Sequence, residues 1–214
     1  MKHLIIIGAG GMGRSVYWIA SESIGYGTDF DIKGFIDDDL SSMDGFDNYP
    51  PLLGTIEDYK PAEDDVFTCS IGNVSSKHLV CDKLKQRGAI FKTLIHRTAS
   101  IQGNTKLGDG CLVCTFALIS NDAVIGENCL IQAFSTVGHD CSIGNYVRID
   151  PHAVIVGGVI IKDRATIHTG AVVSHQVVVG EDAVVAACSF VIKKVDAGTT
   201  VFGNPAKSLP IFKR

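Results

Sequence analysis

The stretch Ala123–Ile149, AVIGENCLIQAFSTVGHDCSIGNYVRI, places an aliphatic residue at every sixth position: Ile125, Ile131, Val137, Ile143 and Ile149. Neither a helix, with its period of about 3.6, nor a plain strand, with its period of about 2, makes that pattern. Followed outward, the phase holds from Ile101 to Val191, sixteen successive positions all filled by Ile, Leu or Val. Four places after each anchor comes a small or slim residue in almost every case, among them Ala123, Cys129, Ser135, Cys141, Ala153, Ala165 and Ala183. A six-residue repeat of this length predicts a parallel β-helix. Three hexads close one triangular coil of about eighteen residues, and coils stack at the strand spacing of ~4.8 Å. The aliphatic residue points into the prism and the small residue fits beside it, so the sixteen hexads predict a little over five coils.

The first hundred residues keep a different rhythm. HLIIIG is a continuous apolar run ending in glycine, as a parallel strand buried on both faces requires. RSVYWIASES follows with helical spacing at Val16, Ile19 and Ala20. FDIKGFIDDD and DVFTCSIGN read as a second and a third strand, and FKTLIH as a candidate fourth. SSKHLVCDKLKQRG reads as a helix with Ser at its start, Lys83, Lys85 and Arg87 in its last turn, and Gly88 as the stop. Alternating elements of this length predict a small Rossmann-like parallel sheet of α/β class over residues 1–97, with the all-β helix over 98–214.

Composition bounds the function. The formal charge of −4 gives no electrostatic reason to expect a nucleic-acid partner. No apolar run reaches the ~18 residues of a membrane span. The opening MKHLIIIGAGG lacks a signal-peptide cleavage pattern, so a cytoplasmic location is expected. Among the seven cysteines only Cys111 and Cys114 make a CxxC pair, with no second pair to complete a zinc site, so structural zinc and a disulfide framework are poor readings. Cys111, Cys129 and Cys141 fall in the small inward slot.

Against this regular background His139 and Asp140 stand side by side, two and three places after the anchor Val137, on a corner of the predicted prism. Polar residues are ordinary at corners, so position alone leaves His139 either a solvated turn residue or a functional group. The pair has the chemistry of acyl transfer. An amine or hydroxyl that attacks a thioester must lose a proton, and an imidazole of pKa ~6.5 suits that task. A carboxylate on its other nitrogen fixes the tautomer and steadies the imidazolium.

The uninterrupted hexads, FGNPAK at Phe202–Lys207, the opening IIIGAGGMGRS, GFIDDD and VGHDCSIG together resemble the sialic acid O-acetyltransferase (NeuD-type) family of sugar acetyltransferases, whose nitrogen-acetylating members include bacillosamine N-acetyltransferases. The resemblance implies that the β-helix is left-handed, although crossover statistics favour the other hand. It implies that His139 is the catalytic base and Asp140 its orienter, with acetyl-CoA as donor and no metal. It places acetyl-CoA contacts at Arg148, Gly157, Thr169 and Ala187, with Lys207 near phosphate. Gly157, eighteen residues after His139, would leave room for a pantetheine arm, or serve a turn; FGNPAK would hold the far end of CoA, or close the prism. His175, two coils up the same edge, flanks the donor or is simply exposed.

Gly8, Gly10 and Gly13 form GxGxxG between a strand and a helix, with Asp37 at the end of the next strand. Alone, these marks fit a nicotinamide dinucleotide site. The sheet is short for two mononucleotide halves, and the resemblance gives this domain a nucleotide-linked amino sugar instead, held by Gly10, Gly11, Met12, Asp37, Asp38 and Gly72, with Asn73 and Lys77 nearby. Met12 and Arg148 stand where the family more often has His, and Gln132 where its nitrogen-acetylating members commonly have Asn. The column Leu118, Thr136, Val154, Val172, Phe190 should face outward and is mostly apolar, which points to a covered face. The resemblance implies a homotrimer with active sites at subunit boundaries. The sequence thus leads first to an N-acetyltransferase of surface glycan synthesis, next to an O-acetyltransferase acting on a sialic acid-like sugar, and outside that class to a nicotinamide-binding protein or an inactive solenoid scaffold.

Overall fold

The computed structural model describes residues 1–209. The chain divides into two compact units, the first Met1–Arg97 and the second beginning at Thr98.

In the first unit β1 (Lys2–Ile7) lies between β2 (Phe30–Ile36) and β3 (Asp65–Cys69), all parallel, in the order β2-β1-β3. Leu4, Ile5, Ile6 and Ile7 are fully buried, which explains the unbroken apolar run: a central strand has no face left for water. Helix α1 (Gly11–Ser21) buries Gly13, Val16 and Ala20. It starts directly after the strand turn because Gly13 has no side chain; a Cβ there would come within 2.1 Å of the Gly8 carbonyl oxygen. Helix α2 (Val74–Gln86) is capped by Asn73, whose side chain accepts from the Ser76 N–H at 2.9 Å, so the helix opens one residue before the expected Ser. Gly88, at φ 88°, stops it. The expected fourth strand is not formed. Phe91 makes a single bridge to Phe67 of β3, and the two-residue strand Leu94–Ile95 does not join this sheet. Phe91, Leu94 and His96 are the buried residues of FKTLIH, and the step of three from Phe91 to Leu94 breaks the alternation that one continuous strand requires.

The second unit is a left-handed parallel β-helix of about 6 turns. Its strands are two residues long and pair with those eighteen residues away: Thr136–Val137 lies between Leu118–Ile119 and Val154–Ile155, and Arg148–Ile149 between Leu130–Ile131 and Thr166–Ile167. The anchors from Val113 to Val191 are at most 3% exposed, and the small partners Ala123, Cys129, Ser135, Cys141, Ala153, Ala165 and Ala183 at most 1%. Three places after each anchor from Ile101 to Val185 the chain adopts a left-handed backbone, from Asn104 (φ 61°) through Asp140 (φ 57°) to Cys188 (φ 57°), which turns these corners the same way. The inward cysteines keep their thiols and bond to the coil above, Cys129 to the Gly144 carbonyl at 3.0 Å and Cys141 to that of Val156 at 3.3 Å. The column Leu118, Thr136, Val154, Val172, Phe190 stands in register on one sheet.

Candidate active site

The corner that carries His139 follows from its neighbours. Cys141 turns inward and Gly138 bonds through its N–H to the Ile155 carbonyl at 2.8 Å. The intervening His139 and Asp140 have nowhere to point but out, and their side chains are 57% and 64% exposed. The left-handed backbone at Asp140 folds its carboxylate back onto the ring, with Oδ2 at 2.6 Å from His139 Nδ1. An ionised carboxylate only accepts, so Nδ1 carries the hydrogen and Nε2 the lone pair.

One coil higher, Gly157 holds the ring in place. A Cβ on Gly157 would lie 2.5 Å from Nε2, 2.6 Å from Cε1 and 2.9 Å from Cδ2 of His139. The imidazole thus occupies the place a side chain at Gly157 would take. His175 lies near the same edge, its Cε1 3.6 Å from where a Cβ on Gly158 would stand. Below, Asp122 is held beneath the usual carboxylate range by hydrogen bonds from Asn121 and then Asn104, with His139 adding a smaller attraction.

Arg148 stands elsewhere. Its strand belongs to a different face of the prism from Thr136–Val137 and from Ser142–Ile143, the two strands that flank the His139 corner. The structure therefore does not bring Arg148 to His139 within one chain. Its guanidinium binds the buried Asp150 through Nε at 2.5 Å and Nη2 at 3.1 Å. Asp150 also accepts from Gln132 Nε2 and bonds His168 Nδ1 at 2.8 Å. This carboxylate makes another imidazole–carboxylate pair on the β-helix, one that sequence reasoning missed. The available signal was Gln132, Asp150 and His168 at eighteen-residue spacing, each one place after an anchor. Thr169 and Ala187 are exposed on successive rungs of one corner, joined through the Cys188 N–H to the Thr169 carbonyl at 2.9 Å. Lys207 is exposed on the strand Lys207–Ser208, which runs antiparallel to Thr200–Phe202.

In the first unit the expected acceptor residues gather at the C-terminal edge of the sheet. Gly10 and Gly11 are exposed at the start of α1, and nothing lies within 4 Å of a Cβ added to Gly10. Met12 beside them is half-buried. Asp37 accepts from the Ala9 N–H at 2.7 Å and the Asp39 N–H at 2.9 Å, so its carboxylate braces the glycine turn. Asp38 accepts from the Ile56 N–H at 2.9 Å. Gly72 lies between β3 and α2 on the same edge. Because the chain runs from β1 to β2 on one side and then crosses back past β1 to β3 on the other, this edge holds a topological switch point, where open parallel sheets bind ligands. Arg14, a cation the sequence reading passed over, lies 3.9 Å from a Cβ added to Gly11 and stacks its guanidinium over Phe46 at 3.6 Å. Of the weaker candidates, Asn73 uses its side chain as the α2 cap and Lys77 is buried.

Residues 3–84 match the family described as the PglD N-terminal domain, and residues 122–157 the one described as bacterial transferase hexapeptide (six repeats). No curated protein matches the chain. Among solved structures, the acetyltransferase domain of PglB from Neisseria gonorrhoeae FA1090, in complex with acetyl coenzyme A, is 30% identical over 97% of this chain and 99% of its own, with a TM-score of 0.86. WeeI from Acinetobacter baumannii AYE is 30% identical over 98% of this chain and all 100% of its own, with a TM-score of 0.87. PerB from Caulobacter crescentus, solved with CoA and GDP-perosamine, is 24% identical over 98% of each chain with a TM-score of 0.86, a likeness of fold. A β-helix of hexapeptide repeats with an imidazole–carboxylate corner defines the class: the molecule is an acyltransferase. Within that class, the chain belongs to the NeuD/PglD-type family of sugar acetyltransferases.

Proposed function

We propose that this protein transfers the acetyl group of acetyl-CoA to the amino group of a nucleotide-linked amino sugar, in the cytoplasm, for surface glycan synthesis. The observation that carries the reading is the 2.6 Å contact between His139 Nδ1 and Asp140 on an exposed corner, which leaves Nε2 as the basic atom. The sugar nitrogen attacks the thioester carbonyl and Nε2 takes its proton. The tetrahedral centre collapses, the carbon–sulfur bond breaks, and CoA departs as the thiol with a proton returned by the imidazolium. Asp140 keeps the ring in the required tautomer throughout.

The binding roles follow the same reading. The first unit, residues 1–97, receives the nucleotide sugar at Gly10, Gly11, Met12, Asp37, Asp38 and Gly72; residues 98–214 carry the transfer, with Arg148, Thr169, Ala187 and Lys207 toward the donor. The PglB domain's complex with acetyl coenzyme A supports the choice of donor. The opposite placement of Arg148 and His139 on one prism supports a homotrimer whose sites are completed across subunit boundaries, with the Leu118–Phe190 column covered.

The test is to incubate the protein with acetyl-CoA and UDP-, dTDP- and GDP-linked amino sugars and measure released thiol. One of these should give turnover, and His139→Ala should lower it by roughly a thousandfold while the fold persists. Unchanged turnover in that variant would remove His139 from the chemistry.

A further inference from the structure

Asp150 comes one place after the inward anchor Ile149, yet its side chain is only 4% exposed. Taking a carboxylate out of water is costly unless donors replace the water. Four bonds do so here: Gln132 Nε2 and Arg148 Nε reach Oδ1, and Arg148 Nη2 and His168 Nδ1 reach Oδ2. The rung below His168 thus supplies Asp150 and Arg148, while the rung above it, Val184–Val185 and then Ala186, supplies no charge. His152, two places on from Asp150, is stacked on Phe134 instead. Because an ionised carboxylate only accepts, His168 Nδ1 carries the hydrogen and Nε2 the lone pair. The His168 side chain is 39% exposed, so this imidazole is not sealed into the prism.

His168 and the proposed base converge on one level of the solenoid. His139 reaches one coil up, its ring against Gly157, and His168 reaches one coil down to Asp150. Asp150 and Gly157 are seven residues apart, about 2 Å along a prism that rises ~4.8 Å per eighteen residues. His168 follows Thr166–Ile167, the next strand above Arg148 on the same face. In a cyclic trimer whose axis runs along the prisms, equal residues of all copies stand at equal height. A boundary that brings one copy's Arg148 face to its neighbour's His139 therefore brings His168 there at the same level. Amide formation gives a group at that place something to do. A free amine of pKa ~8 is mostly ammonium at neutral pH. Conversion of R–NH3+ to R–NH–CO–CH3 releases two protons. His139 takes the second during attack and returns it to the departing sulfur. The first must leave beforehand, because an ammonium nitrogen has no lone pair with which to attack.

Resting on the acetyl-transfer reading above and on its trimer, we propose that His168 of the adjoining copy, oriented by Asp150, is the base that takes the first proton from the sugar ammonium. Nε2 of His168 accepts that proton, and the neutral amine then attacks the thioester with His139 as its base. The His168 imidazolium gives its proton to water after the product leaves. The experiment measures kcat/KM for the UDP-, dTDP- or GDP-linked amino sugar that the wild type turns over, in His168→Asn and His168→Gln chains, from pH ~6.5 to ~9.5. Asn returns an amide N–H to Asp150 about where Nδ1 stood, Gln does not, and neither is a base. At pH ~6.5 an amine of pKa ~8 is neutral in about one molecule in thirty, so both variants should fall about ten- to thirtyfold below wild type. The gap should close to within about twofold at pH ~9.5, where the amine arrives neutral. His139→Ala should stay low across the whole range, since the second proton still has to be moved. Thermal melts check both folds, and the Asn variant, which keeps the Asp150 bond, decides alone should the Gln variant melt early. A loss that does not change with pH, or no loss at all, would overturn the role of His168 while leaving acetyl transfer intact. Absence of turnover by the wild type with every sugar would count against acetyl transfer itself.

Discussion

At Gly157 a missing side chain makes room for the imidazole proposed as the base. The eighteen-residue register made Gly157 legible as a neighbour of His139, but not the reason for it, because which of two groups fills an empty space depends on side-chain direction. The imidazole fills it. A Gly157→Ala chain must push the ring aside, since the new Cβ would stand 2.5 Å from Nε2. The clash is with the free end of a side chain, so the fold should lose less than about 1 kcal/mol. Catalysis should lose more: kcat should drop by roughly tenfold or more, with the acceptor KM nearly unchanged, because a small misplacement of a base is costly. Steady-state kinetics beside a thermal melt separate the two, and an unchanged kcat would show that the ring's seat under Gly157 is irrelevant. His139 and Asp140 were readable because they break a pattern. Asp150 and His168 were not, because they extend a polar column one place after the anchors, where any polar residue is ordinary.

At the scale of elements, the rungs of the solenoid were readable because each repeats one burial decision: anchor in, small partner in, corner out. The first unit offers no such repetition, and there the stretch FKTLIH read as one strand although the step from buried Phe91 to buried Leu94 breaks its alternation. Its sheet is instead tied at one edge by charge. Asp65 of β3, with a side chain 0% exposed, accepts from Lys33 of β2 at 2.8 Å, from the Tyr59 hydroxyl at 2.8 Å and from the Ala62 N–H at 2.9 Å. Burial pushes the Asp65 carboxyl up, but the Lys33 bond together with those from Ala62 and Tyr59 outweighs it and holds the group below the usual range; Lys33 is raised in turn, first by its bond to Asp65. A depressed carboxyl stabilises the fold above its unfolded pKa of ~3.9 and ceases to do so as pH falls through the lower folded value. Asp65→Asn should therefore cost about 1–2 kcal/mol at neutral pH, a figure reduced because Lys33 is partly exposed, and the gap to wild type should close below pH ~4. Trp18 of α1, the only tryptophan, reports on this unit in a denaturant titration. A gap independent of pH would assign the loss to packing rather than to charge.

The whole molecule poses a question that one chain does not answer. The triangular cross-section puts the His139 corner between two faces and Arg148 on the third, so a site needing both must draw them from different copies. The sequence carried the parts of this geometry: the phase of the hexads fixes which face each residue occupies, and nine residues separate His139 from Arg148, one and a half hexads and hence the opposite side of a coil. It carried nothing about which copy meets which, since contact between chains depends on the shapes of both surfaces. Mixed trimers decide the matter. His139→Ala and Arg148→Ala chains should each be nearly inactive alone. Combined at equal amounts and allowed to assemble at random, a boundary regains both native residues only when the corner comes from the Arg148→Ala chain and the facing surface from the His139→Ala chain. Each condition holds at half the boundaries, so about a quarter of wild-type activity should return, with the mixture sedimenting as a trimer. Residues that acted from the same chain would give no return at any mixing ratio, because no single chain in the mixture carries both.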